Sequence, residues 1–483
     1  FYPLLIAWGK SWLGIESHVA AFLISVLSSA FLILLVFLWA DRRFGWGWAW
    51  VAASLVAFNT SLMFYGITLL TESLFTLLFF TAAGLSWVIL RQGGHPFLYL
   101  WVGVLMGLAI ITKSSAWILP AILLCWIGFH VLRGVITIQR ALTMGVLVIL
   151  GVLLITQPVA WKSHIPGGGG EFSGKKSLAS WLSKPDLRNG ALERERYLAV
   201  LNSAGEEFQV EVSQGDNVTN FLISRGVDIL GVIAINLGLA IKGLFMLIPW
   251  WLLIWIPAGI WIQWIRGDKG GLVFSAYLLT LSAGIVGFYS LAGAYTSAIG
   301  PERYTVPLIP LMILLVTAGV RAAYQEAGRL WNVHGIPYRP AGTGMVFLLI
   351  VLVFFSAFYQ GKRVLFAPHK ERWQKSGSEI IGEWIHKGYG SGQKIMARDP
   401  SIPYYAGGFW VLTPFEPLER IIGFARIRGV HLMIVRRNME GVRRPQMLPL
   451  LKKDYVYPGL KRVIGIPNPH DPSGLEVAIY ALQ

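Results

Sequence analysis

Charge is what this 483-residue sequence has least of. Asp, Glu, Lys and Arg together make up 14% of it, where soluble domains carry roughly a quarter. An ordinary soluble fold is thereby excluded. Cysteine is nearly absent: Cys125 stands alone inside an apolar run, which rules out a disulfide within the chain and any cysteine-built metal cluster. There is no P-loop, no dinucleotide fingerprint and no zinc-spaced set of His, Cys and Asp. Acidic residues are scarce as well, 25 against 41 basic, for a net charge of +16. Much of that charge lies in short loops between apolar runs. It therefore reads as membrane topology and contact with anionic headgroups, not as nucleic-acid binding.

What is abundant is apolar sequence in stretches of membrane length. About ten helices are expected, over 18–40, 47–66, 71–90, 98–113, 116–132, 142–160, 243–265, 272–294, 304–322 and 343–360. Asp41 to Arg43, Arg91, Arg133 to Arg140, Arg266 to Lys269 and Arg321 to Arg339 fall on alternate loops, which the positive-inside rule assigns to the cytoplasm. Residues 1–17, the loops 67–70, 114–115, 161–242 and 295–303, and the tail then face outward. Residues 226–241, interrupted by Asp228 and Asn236, read as an interfacial amphipathic helix. An eleventh span there is the alternative, and it would invert every later loop.

Two domains are expected. Residues 1–360 form the membrane domain, including the polar outer loop 161–242, in which Gly167 to Gly170 read as a hinge. Residues 361–483 form an extracytoplasmic soluble domain. Helical spacing over Glu371 to His386 and Pro417 to Arg428, with short strands at 394–397, 431–435 and 476–480, predicts an α/β layer there. Tyr404, Tyr405 and Trp410 read as core packing before sugar stacking. The fold class is thus an α-helical polytopic membrane protein with a C-terminal α/β domain.

Four ionisable residues stand at the ends of apolar runs: Glu72, Lys113, Glu302 and Arg303. A charge there is costly unless paired, hydrated or snorkelling, so each is a candidate for function. The topology puts all four at the outer surface. The Glu72 carboxylate can hold a divalent metal or a substrate hydroxyl. Lys113 and Arg303 supply what a phosphate leaving group needs as charge builds on its oxygens. Tyr304 adds a phenol, and Glu302 can orient Arg303. Ordinary interfacial anchoring, or an Arg303–Glu302 salt bridge, is the plainer reading of the same residues.

At these residues the chain resembles the GT-C membrane glycosyltransferases. It is similar to the family 39 and 83 enzymes, the dolichyl-phosphate-mannose–protein mannosyltransferases and the lipid A aminoarabinose transferase. The resemblance rests on Phe1-Tyr2-Pro3-Leu4-Leu5, Thr71-Glu72, Gly103-x-x-x-Gly107-Leu108-Ala109 to Thr112-Lys113, Glu302-Arg303-Tyr304 to Pro307 and Pro310, Asp399 to Gly407 and Ile421 to Val435, in that order. It implies transfer of a sugar from a polyprenyl-phosphate donor to a lipid, glycan or protein acceptor, with inversion, at the outer face of the cytoplasmic membrane. It also implies Glu72 as an accessory acid near a metal or the acceptor, and Lys113, Arg303 and Tyr304 on the carrier phosphate. The resemblance places the catalytic Asp before the Pro-x-Tyr-Pro segment, hence upstream of Phe1 in a longer chain. Two rival functions are a flippase or transporter of lipid-linked glycans and a non-catalytic glycan-binding membrane protein.

Overall fold

The computed structural model describes residues 1–67, 71–92, 95, 97–163, 226–291, 304–333, 354, 377–398, 400–414, 417–437, 445–468 and 471–482. The chain divides into two compact units, Phe1–Ser173 with Ile229–Ala367 and Gly174–Asp228 with Pro368–Gln483.

The first unit is helical. Its helices are α1 (Tyr2–Leu13), α2 (Ser17–Phe44), α3 (Trp46–Ala57), α4 (Thr60–Ile67), α5 (Glu72–Gln92), α6 (Leu98–Thr112), α7 (Ile118–Leu132), α8 (Ile138–Ser163), α9 (Gly226–Leu247), α10 (Trp250–Leu253), α11 (Trp255–Ile265), α12 (Lys269–Leu291) and α13 (Leu308–Val333). Among the described residues six helices are long and apolar enough to cross a membrane, or up to eight if each bent pair is one span. With the sheet unit described below, this makes the chain a polytopic helical membrane protein with a C-terminal α/β domain. α13 lies at the centre, with every residue from Thr305 to Val320 buried. A helix apolar on all sides can take that position without leaving polar groups unpaired.

Small residues let the helices approach. A Cβ on Gly103 would lie 2.2 Å from the Val148 carbonyl oxygen, and one on Gly151 would lie 2.3 Å from that of Leu100. The Gly103-x-x-x-Gly107 stripe is therefore the seam between α6 and α8. Gly259 and Gly319 do the same between α11 and α13, where either Cβ would strike backbone.

Three expected elements differ from the sequence reading. The expected span 47–66 bends by 61° between α3 and α4. There Asn59 turns its side chain to the backbone: its Oδ1 accepts the Leu62 N–H (3.0 Å), capping α4, and its Nδ2 donates to the Leu247 carbonyl (2.9 Å). The expected span 243–265 is not one helix. Residues 226–241 continue into α9 as far as Leu247, and the chain turns by 102° before running on to Ile265. Pro249 has no N–H and disfavours helix at Ile248, so the break falls there. The 98–113 segment is a 15-residue helix, about 22 Å long and short for a span. Apart from Phe354, the expected span 343–360 lies outside the described residues, as do Gly167 to Gly170.

The second unit is a five-stranded sheet of order β2-β1-β3-β5-β4. Its elements are α14 (Gly377–Tyr389), β1 (Lys394–Ala397), α15 (Ser401–Tyr405), β2 (Phe409–Leu412), α16 (Leu418–Ile427), β3 (Leu432–Arg436), β4 (Leu460–Asn468) and β5 (Asp471–Leu482). β1 pairs parallel with β2 and β3, and β5 pairs antiparallel with β3 and β4. Alternate residues serve two cores: Met433 and Val435 pack with Ile421 of α16, whereas Leu432 and Ile434 pack with Ile385 of α14 and Ile402 of α15. The central strands, buried on both faces, therefore read as unbroken apolar runs. Contrary to the core-packing expectation, Tyr404 (63%), Tyr405 (41%) and Trp410 (44%) are exposed: the two tyrosines end the short helix α15, and Trp410 lies on the edge strand β2.

Candidate functional site

Glu72 opens α5 and is 3% exposed. It stands at the helix N-terminus, where the unpaired amides of the first turn carry partial positive charge. Thr76 Oγ1 donates to the Glu72 carbonyl (2.7 Å), and the Ser73 hydroxyl donates to the Tyr65 carbonyl (2.8 Å), so the turn is tied on both sides.

Lys113 ends α6 in extended backbone and leads into a short 3₁₀ turn, Ser114–Trp117. Its Nζ donates to Glu72 Oε1 at 3.2 Å, with only 15% of the lysine side chain and 4% of the glutamate side chain exposed. Three aromatic faces surround the ammonium: Tyr304 at 5.0 Å, Phe75 at 5.5 Å and Tyr289 at 5.9 Å. Ring quadrupoles stabilise a cation withdrawn from water. Tyr289 packs against Tyr304 with centroids 4.6 Å apart and the rings tilted by 43°, and its hydroxyl donates to Ser115 Oγ. The box is thus built by α5, the α6–α7 turn, α12 and the start of α13.

The second carboxylate oxygen, Glu72 Oε2, is buried with no hydrogen-bond partner among the described residues. Such an atom costs roughly 1–3 kcal/mol unless something donates to it. Tyr2 lies near enough to feel the Glu72 charge. Its phenol is pushed above the ordinary value of 10.0, mainly by burial and further by Glu72, against a lowering hydrogen bond with Ser25. Among the described residues there is no group of three His, Cys, Asp or Glu able to hold a metal. Glu72 offers one free oxygen beside an ammonium, so a divalent ion does not fit these residues by themselves.

The structure therefore brings Glu72, Lys113 and Tyr304 together, while Glu302 and Arg303 lie outside the described residues. The sequence reading did not pair Glu72 with Lys113, and it missed Phe75, Tyr289 and Ser115. Aromatics at span ends are common enough to pass as interface belt. Only their convergence on one ammonium sets these apart.

No family model matches the chain, and no curated protein matches it in sequence. Solved structures match its fold. The Archaeoglobus fulgidus oligosaccharyltransferase in complex with Zn and sulfate aligns with TM-score 0.56 and 14% identity, over 98% of this chain and 63% of its own. The same protein tethered to an acceptor peptide containing the NVT sequon gives 0.55 and 15% identity, over 97% and 63%. ArnT from Cupriavidus metallidurans bound to undecaprenyl phosphate gives 0.54 and 13% identity, over 100% of this chain and 87% of its own. The chain has the GT-C fold and spans 63% of the length of the archaeal oligosaccharyltransferase.

Proposed function

We propose that the chain is a membrane glycosyltransferase that transfers a sugar from a polyprenyl-phosphate donor to an acceptor, with inversion. The buried Glu72–Lys113 pair inside its aromatic box, in a GT-C fold, carries this reading. The solved neighbour that binds undecaprenyl phosphate supports the donor class. As the bond from the anomeric carbon to the phosphate oxygen breaks, negative charge collects on the carrier phosphate. Lys113, ion-paired with Glu72, meets that charge in a low-dielectric site, where the interaction is strongest. Arg303 directly precedes Tyr304 in the sequence. It supplies the second cation, with Glu302 orienting it and the Tyr304 phenol donating a hydrogen bond. The unpaired Glu72 oxygen accepts a hydrogen bond from a hydroxyl of the sugar or the acceptor. The acceptor oxygen bonds to the anomeric carbon from the opposite face as the carrier phosphate leaves, and it gives its proton to the catalytic Asp that the family resemblance implies.

In this reading, residues 1–360 are the membrane domain and 361–483 an extracytoplasmic domain, with the site at the outer face of the cytoplasmic membrane. The acceptor is a lipid, glycan or protein. The test is transfer by the full-length protein in nanodiscs, followed as release of polyprenyl phosphate. Arg303→Ala is expected to lose roughly 100-fold in rate while remaining monodisperse. A normal rate in that variant would refute the role.

One observation favours a second reading. The two bends, at 58–59 and 248–249, are joined by the Asn59–Leu247 hydrogen bond, and paired broken helices occur in transporters. A transporter would move the lipid-linked glycan across a proteoliposome without releasing polyprenyl phosphate. Acceptor-dependent release would sink it.

A further inference from the structure

The far end of the same helical unit carries a second cluster that the proposed reaction does not use. Glu72 and Arg91 stand at opposite ends of α5, about 30 Å apart along its axis. Around Arg91, Arg43 closes α2, Asp268 precedes α12 and Arg321 lies on α13. Arg91, Arg321 and Asp268 are the charged groups acting on Arg43.

Each guanidinium lies over an aromatic ring: Arg43 over Phe274 (5.4 Å), Arg91 over Trp87 (5.3 Å) and Arg321 over Phe44 (5.8 Å). Among the described residues none of the three has a carboxylate within salt-bridge distance. Arg266 on the same rim differs, since Glu326 and Gln325 take up its donors. Arg43 Nε is buried, and no described group accepts its hydrogen. Asp268, the one acid of the cluster, is committed to the Gly271 N–H (2.9 Å) and so caps α12. Arg43 and Arg91 approach each other at Gly270, where a Cβ would lie 3.1 Å from Arg91 Nη2 and 3.9 Å from Arg43 Nη2. A small open cleft lies alongside, lined by Arg43, Gln263, Asp268 and Arg321.

Three like charges at one rim repel, and aromatic faces lower that cost without neutralising them. Several unclaimed guanidinium donors at one rim suit an anion with several oxygens. The apolar spans Ser17–Phe44 and Glu72–Arg91 end here, which is the depth of a lipid headgroup. We propose that Arg43, Arg91 and Arg321 form a site for a phosphate group carried by an anionic phospholipid. The site is separate from Glu72 and Lys113 and does not depend on the reaction assigned to them.

Native mass spectrometry of the full chain in zwitterionic detergent tests this, with phosphatidylglycerol, phosphatidylcholine and inorganic phosphate as probes. Wild type is expected to take up one phosphatidylglycerol at about tenfold lower concentration than phosphatidylcholine. Arg43→Gln with Arg321→Gln should abolish that preference, whereas Arg133→Gln, which removes a similar charge over Phe129 elsewhere, should keep it. Gly270→Glu retains every arginine and places a carboxylate among them, so it should also abolish the preference. It keeps the test decisive if the double variant fails to fold. Equal uptake of both lipids, an unchanged preference in the folded variants, or equal loss in Arg133→Gln would overturn the proposal. Displacement of the lipid by inorganic phosphate at equal concentration would overturn the lipid as its source.

Discussion

The ammonium of Lys113 is held between one carboxylate and three rings, and its removal should be felt twice. Truncating one member of a buried pair leaves the other charge uncompensated, which costs about 3–5 kcal/mol. Lys113→Ala is therefore expected to lower the melting temperature of the protein in detergent, because Glu72 at 4% side-chain exposure has little water to turn to. The double variant Glu72→Gln with Lys113→Met should recover most of that stability, since no buried charge remains. It should not recover transfer, because the phosphate then meets no cation at that position. Recovery of both would reduce the pair to a structural contact. Glu72 was legible as a residue because a carboxylate in an apolar run is conspicuous. Its pairing with Lys113 was not, because positions 72 and 113 are joined by tertiary packing alone.

At the scale of elements, two devices set the helix geometry. Asn59 satisfies the start of α4 and the carbonyl of Leu247 with one side chain. Asn59→Ala should cost about 2 kcal/mol through the lost cap and a freed carbonyl, measurable as a fall in thermal midpoint. It should also raise hydrogen exchange at Leu62. An unchanged midpoint would show that water fills the place. The α6–α8 seam is less forgiving: Gly151→Leu puts a side chain where the Leu100 carbonyl sits, and no folded protein is expected on size exclusion. In the sheet, β1, β3 and β5 were legible as apolar runs, because they lie inside the sheet. β2 and β4 were not, and they are its two edges. β2 leaves Phe409 and Trp410 exposed, and β4 carries Lys461, Arg462 and Pro467, as edges do.

For the whole molecule, the proposed topology makes a prediction of sidedness. With Cys125→Ser as background, a membrane-impermeant maleimide applied to spheroplasts should label Ser391→Cys and spare Arg133→Cys until the membrane is opened. Labelling of both from the same side would refute the alternation. The sequence by itself determined that the chain is a polytopic helical membrane protein with a terminal α/β domain. Hydrophobic length, period and the scarcity of charge are local properties, readable residue by residue. It also picked out Glu72, Lys113 and Tyr304, because polar groups at the ends of apolar runs are costly. Only the tertiary structure decided that these three meet, that Phe75 and Tyr289 close the box, and that Arg43, Arg91 and Arg321 share a rim. Contacts between distant segments depend on how the helices pack, and packing here is set by small-residue seams and bends that no single stretch of sequence specifies.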